Sequence, residues 1–190
     1  MRLVLATRNS HKQREFARLL PQHELVPLPP EVKLPSETGA TFAENALLKA
    51  RAAAGATRSA AIADDSGIEA AALGGAPGIR SARYAGPGAD DAENLAKLRR
   101  EAPAGSALAY VCALAYVDPA AGEERVFEGL CTGTLAEEAR GERGFGYDPA
   151  FIPDDGGEHG ATMAELEDAA KDAISHRGRA ARELERWLAS

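Results

Sequence analysis

Two carboxylates in immediate succession, Asp64 and Asp65, followed by Ser66-Gly67, carry the strongest chemical signal in the chain. At the end of a buried strand such a pair is unfavourable unless something positive binds it. A hard cation such as Mg2+ beside a phosphate is the natural partner for oxygen ligands, and Glu37 could add a further one. The plainer alternative is a solvated turn at a strand end. A second stretch, Thr7-Arg8-Asn9-Ser10-His11-Lys12, puts hydroxyl, amide and ammonium groups at a strand-to-helix turn. Backbone N–H groups at a helix start cradle phosphate, although an ordinary polar cap would look the same. In Gly144-Phe145-Gly146-Tyr147-Asp148-Pro149 the glycines let backbone and ring approach a flat ligand, so Phe145 could stack on a nucleobase. The alternative is a tight loop whose aromatics plug the core. Lys171 with Ser175-His176-Arg177 forms a small basic cluster without a local carboxylate run. It reads either as solvated cations or as an anion-binding group.

The elements that must position these residues alternate strand and helix, which indicates an α/β layer fold. Arg2 to Ala6 is predicted as a strand, His11 to Leu20 as a helix and His23 to Leu28 as a second strand. Pro27, Pro29, Pro30 and Pro35 then enforce a loop. Thr41 to Ala54 is predicted as a helix with Thr41 and Glu44 at capping-box spacing, Gly55 as its stop, and Asn45 and Lys49 off its apolar face. Ser59 to Ala63 is a strand ending at the acidic pair, and Gly74 to Tyr84 reads as a tight loop. Asp90 to Arg100 is a further helix, capped by Asp90. Ala107 to Val117 is apolar on both faces and therefore central, with Glu124 to Thr134 as its hairpin partner. That turn sets Cys112 opposite Glu128, so both cysteines read as small core residues. Arg177 to Leu188 is an amphipathic helix.

With 190 residues the chain is expected to form a single domain spanning 1–190. Its formal charge of −7 argues against binding nucleic acid polymers or anionic membranes. Two cysteines are too few for a disulfide-stapled module, and no apolar run is long enough to span a bilayer. The expectation is a cytoplasmic protein with no membrane partner.

Taken in order, these stretches resemble the Ham1/RdgB-like inosine triphosphate pyrophosphatase family over nearly the whole chain. The resemblance is carried by Thr7-x-Asn9-x-x-Lys12 and by Glu37-Thr38-Gly39 with Thr41-Phe42-Ala43-Glu44-Asn45-Ala46. It continues through Asp64-Asp65-Ser66-Gly67, Gly74-Gly75-Ala76-Pro77-Gly78 and Ser81-Ala82-Arg83-Tyr84. Gly144 to Pro149 and Ile174-Ser175-His176-Arg177-Gly178 complete it. Asp172 stands where the family often has Asn, and Ala161 where a Lys is frequent. The resemblance implies a two-lobed α/β fold, an elongated mixed β-sheet flanked by helices with a cleft between lobes, and a homodimer. It implies Mg2+-dependent hydrolysis of ITP, dITP and XTP to monophosphate and pyrophosphate. Thr7, Asn9, Lys12 and Lys49 then look like phosphate contacts, with Arg8, Ser10 and His11 in the same turn. Asp65 looks like the general base and metal site, Glu37 its metal partner, and Ser66 a substrate contact. Phe145, Gly146, Tyr147, Asp148, Lys171, Ser175, His176 and Arg177 look like the nucleoside pocket.

On this reading water attacks the α-phosphorus and no Ser or Cys nucleophile is needed. Donors on His176 and Arg177 suit the six-position acceptor of hypoxanthine and leave adenine mismatched. A non-catalytic nucleotide sensor and a pyrophosphatase of pyrimidine nucleotides remain the rival classes.

Overall fold

The computed structural model describes residues 1–156 and 160–190. It is a mixed α/β fold whose six strands lie in the order β2-β1-β3-β4-β5-β6. β1 (Arg2–Leu5), α1 (Ser10–Leu19), β2 (Glu24–Pro27), α2 (Phe42–Thr57) and β3 (Ala61–Ala70) follow one another. Next come α3 (Asp91–Glu101), β4 (Ala107–Asp118), β5 (Glu123–Leu135), β6 (Phe151–Pro153), α4 (Asp168–Ile174) and α5 (His176–Leu188). β1 pairs in parallel with both β2 and β3, whereas β6 runs antiparallel to β5. The chain forms two compact units, residues 1–65, 112–129 and 177–190 in one and 66–111 and 130–176 in the other. β3, β4 and β5 each give residues to both units.

The first unit is a β-α-β-α-β arrangement in which α1 leads to one side of β1 and α2 to the other. Such a reversal of direction leaves the carboxyl ends of the strands open for a ligand. The Thr7–Lys12 turn lies there, and the register Leu5↔Ile62 brings Asp64 and Asp65 just beyond it. The core beside them joins Leu3, Leu5 and Ile62 with Phe16 and Leu20, Cys112, Leu114 and Tyr116, and Ala180 and Leu184. The second unit has its own core, in which Ile68, Leu108, Tyr110 and Leu135 meet Tyr147, Phe151 and Met163. The bulky alternate residues of β4 therefore feed both cores in turn, as expected for a covered central strand. Both cysteines are buried free thiols.

Several boundaries differ from the sequence-based expectations. β3 runs through the acidic pair to Ala70, because the carboxylates find cationic partners and need not turn out to water. α2 passes Gly55 and ends at Thr57, with Arg58 in the left-handed conformation at φ 52°. A lone glycine lowers helix propensity without forbidding it, and the end is set where the chain turns back into β3. In its cap, Thr41 Oγ1 accepts from Glu44 N at 3.2 Å, but Glu44 Oε2 accepts from Ala40 N at 2.6 Å. The reciprocal box is complete at Asp90 and Glu93 instead. The Gly74 to Tyr84 loop contains short 3-10 turns at Ala71–Leu73 and Gly78–Arg83. β6 and α4 are additional elements, too short to leave a periodic signature.

Candidate active site

Asp64 and Asp65 are adjacent on a strand, so their side chains project to opposite faces. That alternation gives them different partners. On the α1 and α5 face, Asp64 Oδ2 receives Lys12 Nζ at 2.8 Å and Arg177 Nε at 3.2 Å. Arg177 Nη1 also donates to Glu15 Oε2 at 3.0 Å. On the α2 face, Lys49 Nζ lies 3.1 Å from Asp65 Oδ1 and 2.7 Å from Glu37 Oε1. Asn45 Nδ2 donates to Asp65 Oδ2 at 3.1 Å, and Asn45 Oδ1 accepts from Gly39 N at 2.8 Å. Asn45 and Lys49 stand at i,i+4 on α2, which places both over Asp65. Contrary to the amphipathic reading, both are buried, since their polar ends are satisfied there.

The two aspartates titrate in opposite directions. Burial alone would push the Asp64 carboxyl up, but the charges of Lys12, Arg177 and Lys49 hold it well below the usual carboxylate range. For Asp65, burial prevails over the attraction of Lys49 and raises its carboxyl, and the negative charge of Glu37 adds to the rise. Burial would also raise Glu37, yet its bond to Lys49 lowers it. Lys49 is opposed by burial but raised by Asp64, Asp65 and Glu37. An acid held this low is a poor proton acceptor, whereas its raised neighbour is better matched to that task.

The turn after β1 is largely self-capped. Asn9 Oδ1 accepts from His11 N at 2.8 Å and from Lys12 N at 3.2 Å, and Thr7 Oγ1 accepts from Asn9 N at 3.1 Å. Lys12 points into the acidic cluster, but Arg14 Nη2 lies 2.9 Å from His11 Nδ1, and Arg8 bonds to backbone carbonyls of the proline loop. Ser10 is the exposed first residue of α1.

A second group forms in the other unit. Asp148 Oδ2 accepts from Lys171 Nζ at 2.6 Å and from Phe145 N at 2.9 Å, while Oδ1 accepts from Tyr110 OH at 3.0 Å. Lys171 Nζ stands 5.4 Å from the centre of the Phe145 ring. His176 stacks on Tyr110 with ring centres 4.7 Å apart and planes at 7°. Tyr147 is buried and donates to Ser81 O at 2.7 Å, whereas Phe145 stays half-buried. The two aromatics of this loop thus divide, Tyr147 plugging the core and Phe145 remaining partly exposed. Gly144 has φ +73°, and a Cβ there would lie 2.0 Å from Asp148 Oδ2, so only glycine permits that bond. Gly146 N donates to Asp91 Oδ2 at 2.8 Å, and Ser175 is buried at the end of α4. Ser66 is half-buried beside Gly67, where a Cβ would lie 2.4 Å from Ser81 Oγ and 2.5 Å from Gly78 O.

The structure therefore collects Lys12, Glu37, Lys49, Asp65 and Arg177 in one unit, and Phe145, Asp148, Lys171 and His176 in the other. Arg177, expected among the nucleoside contacts, has its guanidinium on Asp64 and Glu15. The clusters also draw in Glu15, Asn45 and Tyr110, which the sequence signals leave outside the site. Glu15 lies three residues from Lys12 on α1, a spacing that could have revealed it, whereas nothing in the alternation of β4 separates Tyr110 from core.

The residues also fit a hard divalent ion. Among the described residues no group of three or more His, Cys, Asp or Glu side chains is placed to hold one. Glu37 and Asp65, which share one ammonium, provide two carboxylates, and Mg2+ is usually bound by one or two carboxylates with substrate phosphates and water completing its shell.

Known proteins resemble this chain over nearly its whole length. A dITP/XTP pyrophosphatase of Frankia alni is 49% identical over 197 residues, covering 97% of this chain and 95% of that one. Another from Symbiobacterium thermophilum is 51% identical over 191 residues, covering 97% and 94%. A solved HAM1 protein from Coxiella burnetii matches with a TM-score of 0.87 at 40% identity, over 100% of this chain and 98% of that one. A nucleoside-triphosphatase / dITP/XTP pyrophosphatase from Mycobacterium abscessus matches with a TM-score of 0.73 at 44% identity, over 99% of each chain. The model of the Ham1 family itself runs from residue 3 to residue 187. With likeness in sequence and in backbone extending almost from end to end, this chain belongs to the Ham1 family.

Proposed function

We propose that this chain is a hydrolase that cleaves non-standard purine nucleoside triphosphates, ITP, dITP and XTP, to the monophosphate and pyrophosphate. The observation that carries this reading is the Lys49 ammonium shared by Glu37 and Asp65, next to Lys12 on Asp64. It pairs carboxylates suited to a cation with lysines suited to phosphate, each neutralising the other until substrate arrives. The relatives from Frankia alni and Symbiobacterium thermophilum are named dITP/XTP pyrophosphatases, which supports this reading.

Glu37 and Asp65 are the residues that would hold Mg2+. When bound, the ion neutralises phosphate charge and lowers the barrier to attack by water. Asp65, the aspartate raised by burial, accepts the proton of the water that attacks the α-phosphorus. The new phosphorus–oxygen bond forms as the bond from the α-phosphorus to the bridging oxygen breaks, and pyrophosphate leaves. Lys12 and Lys49, with the side chains of Thr7 and Asn9 before α1, stabilise the charge that grows on the leaving group. Arg177, itself held by Glu15, helps keep Asp64 ionised, and Asp64 in turn holds Lys12 in position.

Phe145 stacks on the base, and Lys171 and His176 offer donors to the six-position oxygen that hypoxanthine and xanthine share. Adenine presents an amino group there and leaves the donors unmatched, a mismatch that can discriminate by about 10⁴. The chain acts as one catalytic domain over 1–190, works as a homodimer, and resides in the cytoplasm. The acidic balance and the absence of any membrane-crossing helix among the described residues are compatible with that setting.

Pyrophosphate release from ITP in Mg2+, set against ATP, tests the reading. Asp65→Asn is expected to lower kcat by about 10²–10⁴ while ITP binding changes little. ITP left intact after hours, or an undiminished rate in that variant, would overturn it.

A further inference from the structure

Arg8 lies in the phosphate turn, yet its guanidinium is engaged elsewhere. Nη1 donates to Leu28 O at 2.7 Å, and Nη2 donates to Pro29 O at 2.6 Å and Val32 O at 3.0 Å. The backbone beside Arg8 is itself fixed, since Thr7 O accepts from Gln13 Nε2 at 3.1 Å and Thr7 Oγ1 accepts from Asn9 N at 3.1 Å. The segment it reaches forms neither helix nor strand between Pro27 and Phe42. Pro29, Pro30 and Pro35 have no N–H, so this loop cannot build a ladder of its own. Its far end is held by α2, through Gly39 N on Asn45 Oδ1 and Ala40 N on Glu44 Oε2. Glu37 lies between the two anchors.

We propose that Arg8 is a positioning residue: it clamps the near end of the proline loop so that Glu37 is presented beside Asp65, and it thereby sets the divalent-cation requirement of the enzyme. This rests on the reading of Glu37 and Asp65 as the cation-binding pair. A guanidinium suits the task because its planar fork directs several N–H groups to separate carbonyl oxygens at once. A lysine ammonium is a compact point charge and cannot span the same three. With these N–H groups committed to the loop, Arg8 is not a principal contact of the triphosphate.

The test compares Arg8→Ala and Arg8→Lys with the parent protein, the lysine variant serving if the alanine variant folds poorly. Amide hydrogen exchange of residues 31–41, measured without metal or nucleotide, is expected to rise about tenfold while α2 stays protected. The Mg2+ concentration for half-maximal ITP hydrolysis is expected to rise about tenfold, as for other residues that orient a metal ligand. KM for ITP at saturating Mg2+ is expected to stay within about twofold. A large rise in that KM, with loop exchange and Mg2+ requirement unchanged, would make Arg8 a triphosphate contact and overturn the proposal. So would no change in any of the three. Glu37→Gln is measured alongside. If it leaves the Mg2+ requirement unchanged, the cation-binding reading itself fails and takes the proposal with it, whatever the loop exchange in the Arg8 variants.

Discussion

Asp64 and Asp65 are identical in type and adjacent in sequence, and the alternation of a strand gives them separate tasks. Asp64 is surrounded by Lys12 and Arg177 and stays ionised, so its role is electrostatic: it fixes two cations that would otherwise repel each other. Asp65 shares Lys49 with Glu37 and is the aspartate whose proton affinity rises. The consequences of removing each charge should therefore differ. Asp64→Asn is expected to lower folding stability by about 3 kcal/mol, because taking one partner from a buried ion pair leaves the others uncompensated. Urea unfolding checks this, and an unchanged midpoint would show that the pairs contribute nothing net. Asp65→Asn, by contrast, is expected to act on turnover.

Among the elements, α2 does most to organise the site, since its inward side carries both Asn45 and Lys49 over Asp65. Small residues make that possible: Ala46, Ala50 and Ala53 are fully buried and let the helix approach closely. Gly55 plays no such part, because a Cβ built there meets nothing within 4 Å. Gly55→Ala is expected to stabilise the protein by about 0.5–1 kcal/mol through helix propensity alone. A higher thermal midpoint with unaltered ITP turnover is the expected result; a lower midpoint would mean that the glycine serves a purpose. α1 differs, contributing Lys12 and Glu15 at i,i+3, and its N-terminus is closed by Asn9 rather than left open.

For the molecule as a whole, the buried charges couple folding to pH. Asp64 is held far below its ordinary value of 3.8 in the folded state, so its stabilisation is complete above that pH and is lost as the pH falls below it. Asp65 works against this, because a carboxyl raised on folding weakens the fold at neutral pH and ceases to do so as it becomes protonated. The gap in stability between parent and Asp64→Asn is therefore expected to hold steady down to about pH 5 and to narrow as pH falls further to about 2. A gap that stays constant would show that Asp64 is not selectively ionised in the native state.

The sequence by itself determined the strand and helix alternation, the cap at Asp90, the central position of β4 and the residue types of the candidate site, though not Glu15, Asn45 and Tyr110 within it. These are local or periodic signals, carried by residue type at fixed spacing. Tertiary structure alone decided the pairing. Lys12 with Asp64, Lys49 with Glu37 and Asp65, and Lys171 with Asp148 join residues far apart in the chain, as does the bond of Tyr110 to Asp148. The same holds for Arg177, whose basic neighbours suggested a ligand but whose guanidinium meets Glu15 across 162 positions. Charge attraction has no sequence period. Which carboxylate a cation meets follows from strand register and helix placement, and these are fixed only when the cores close.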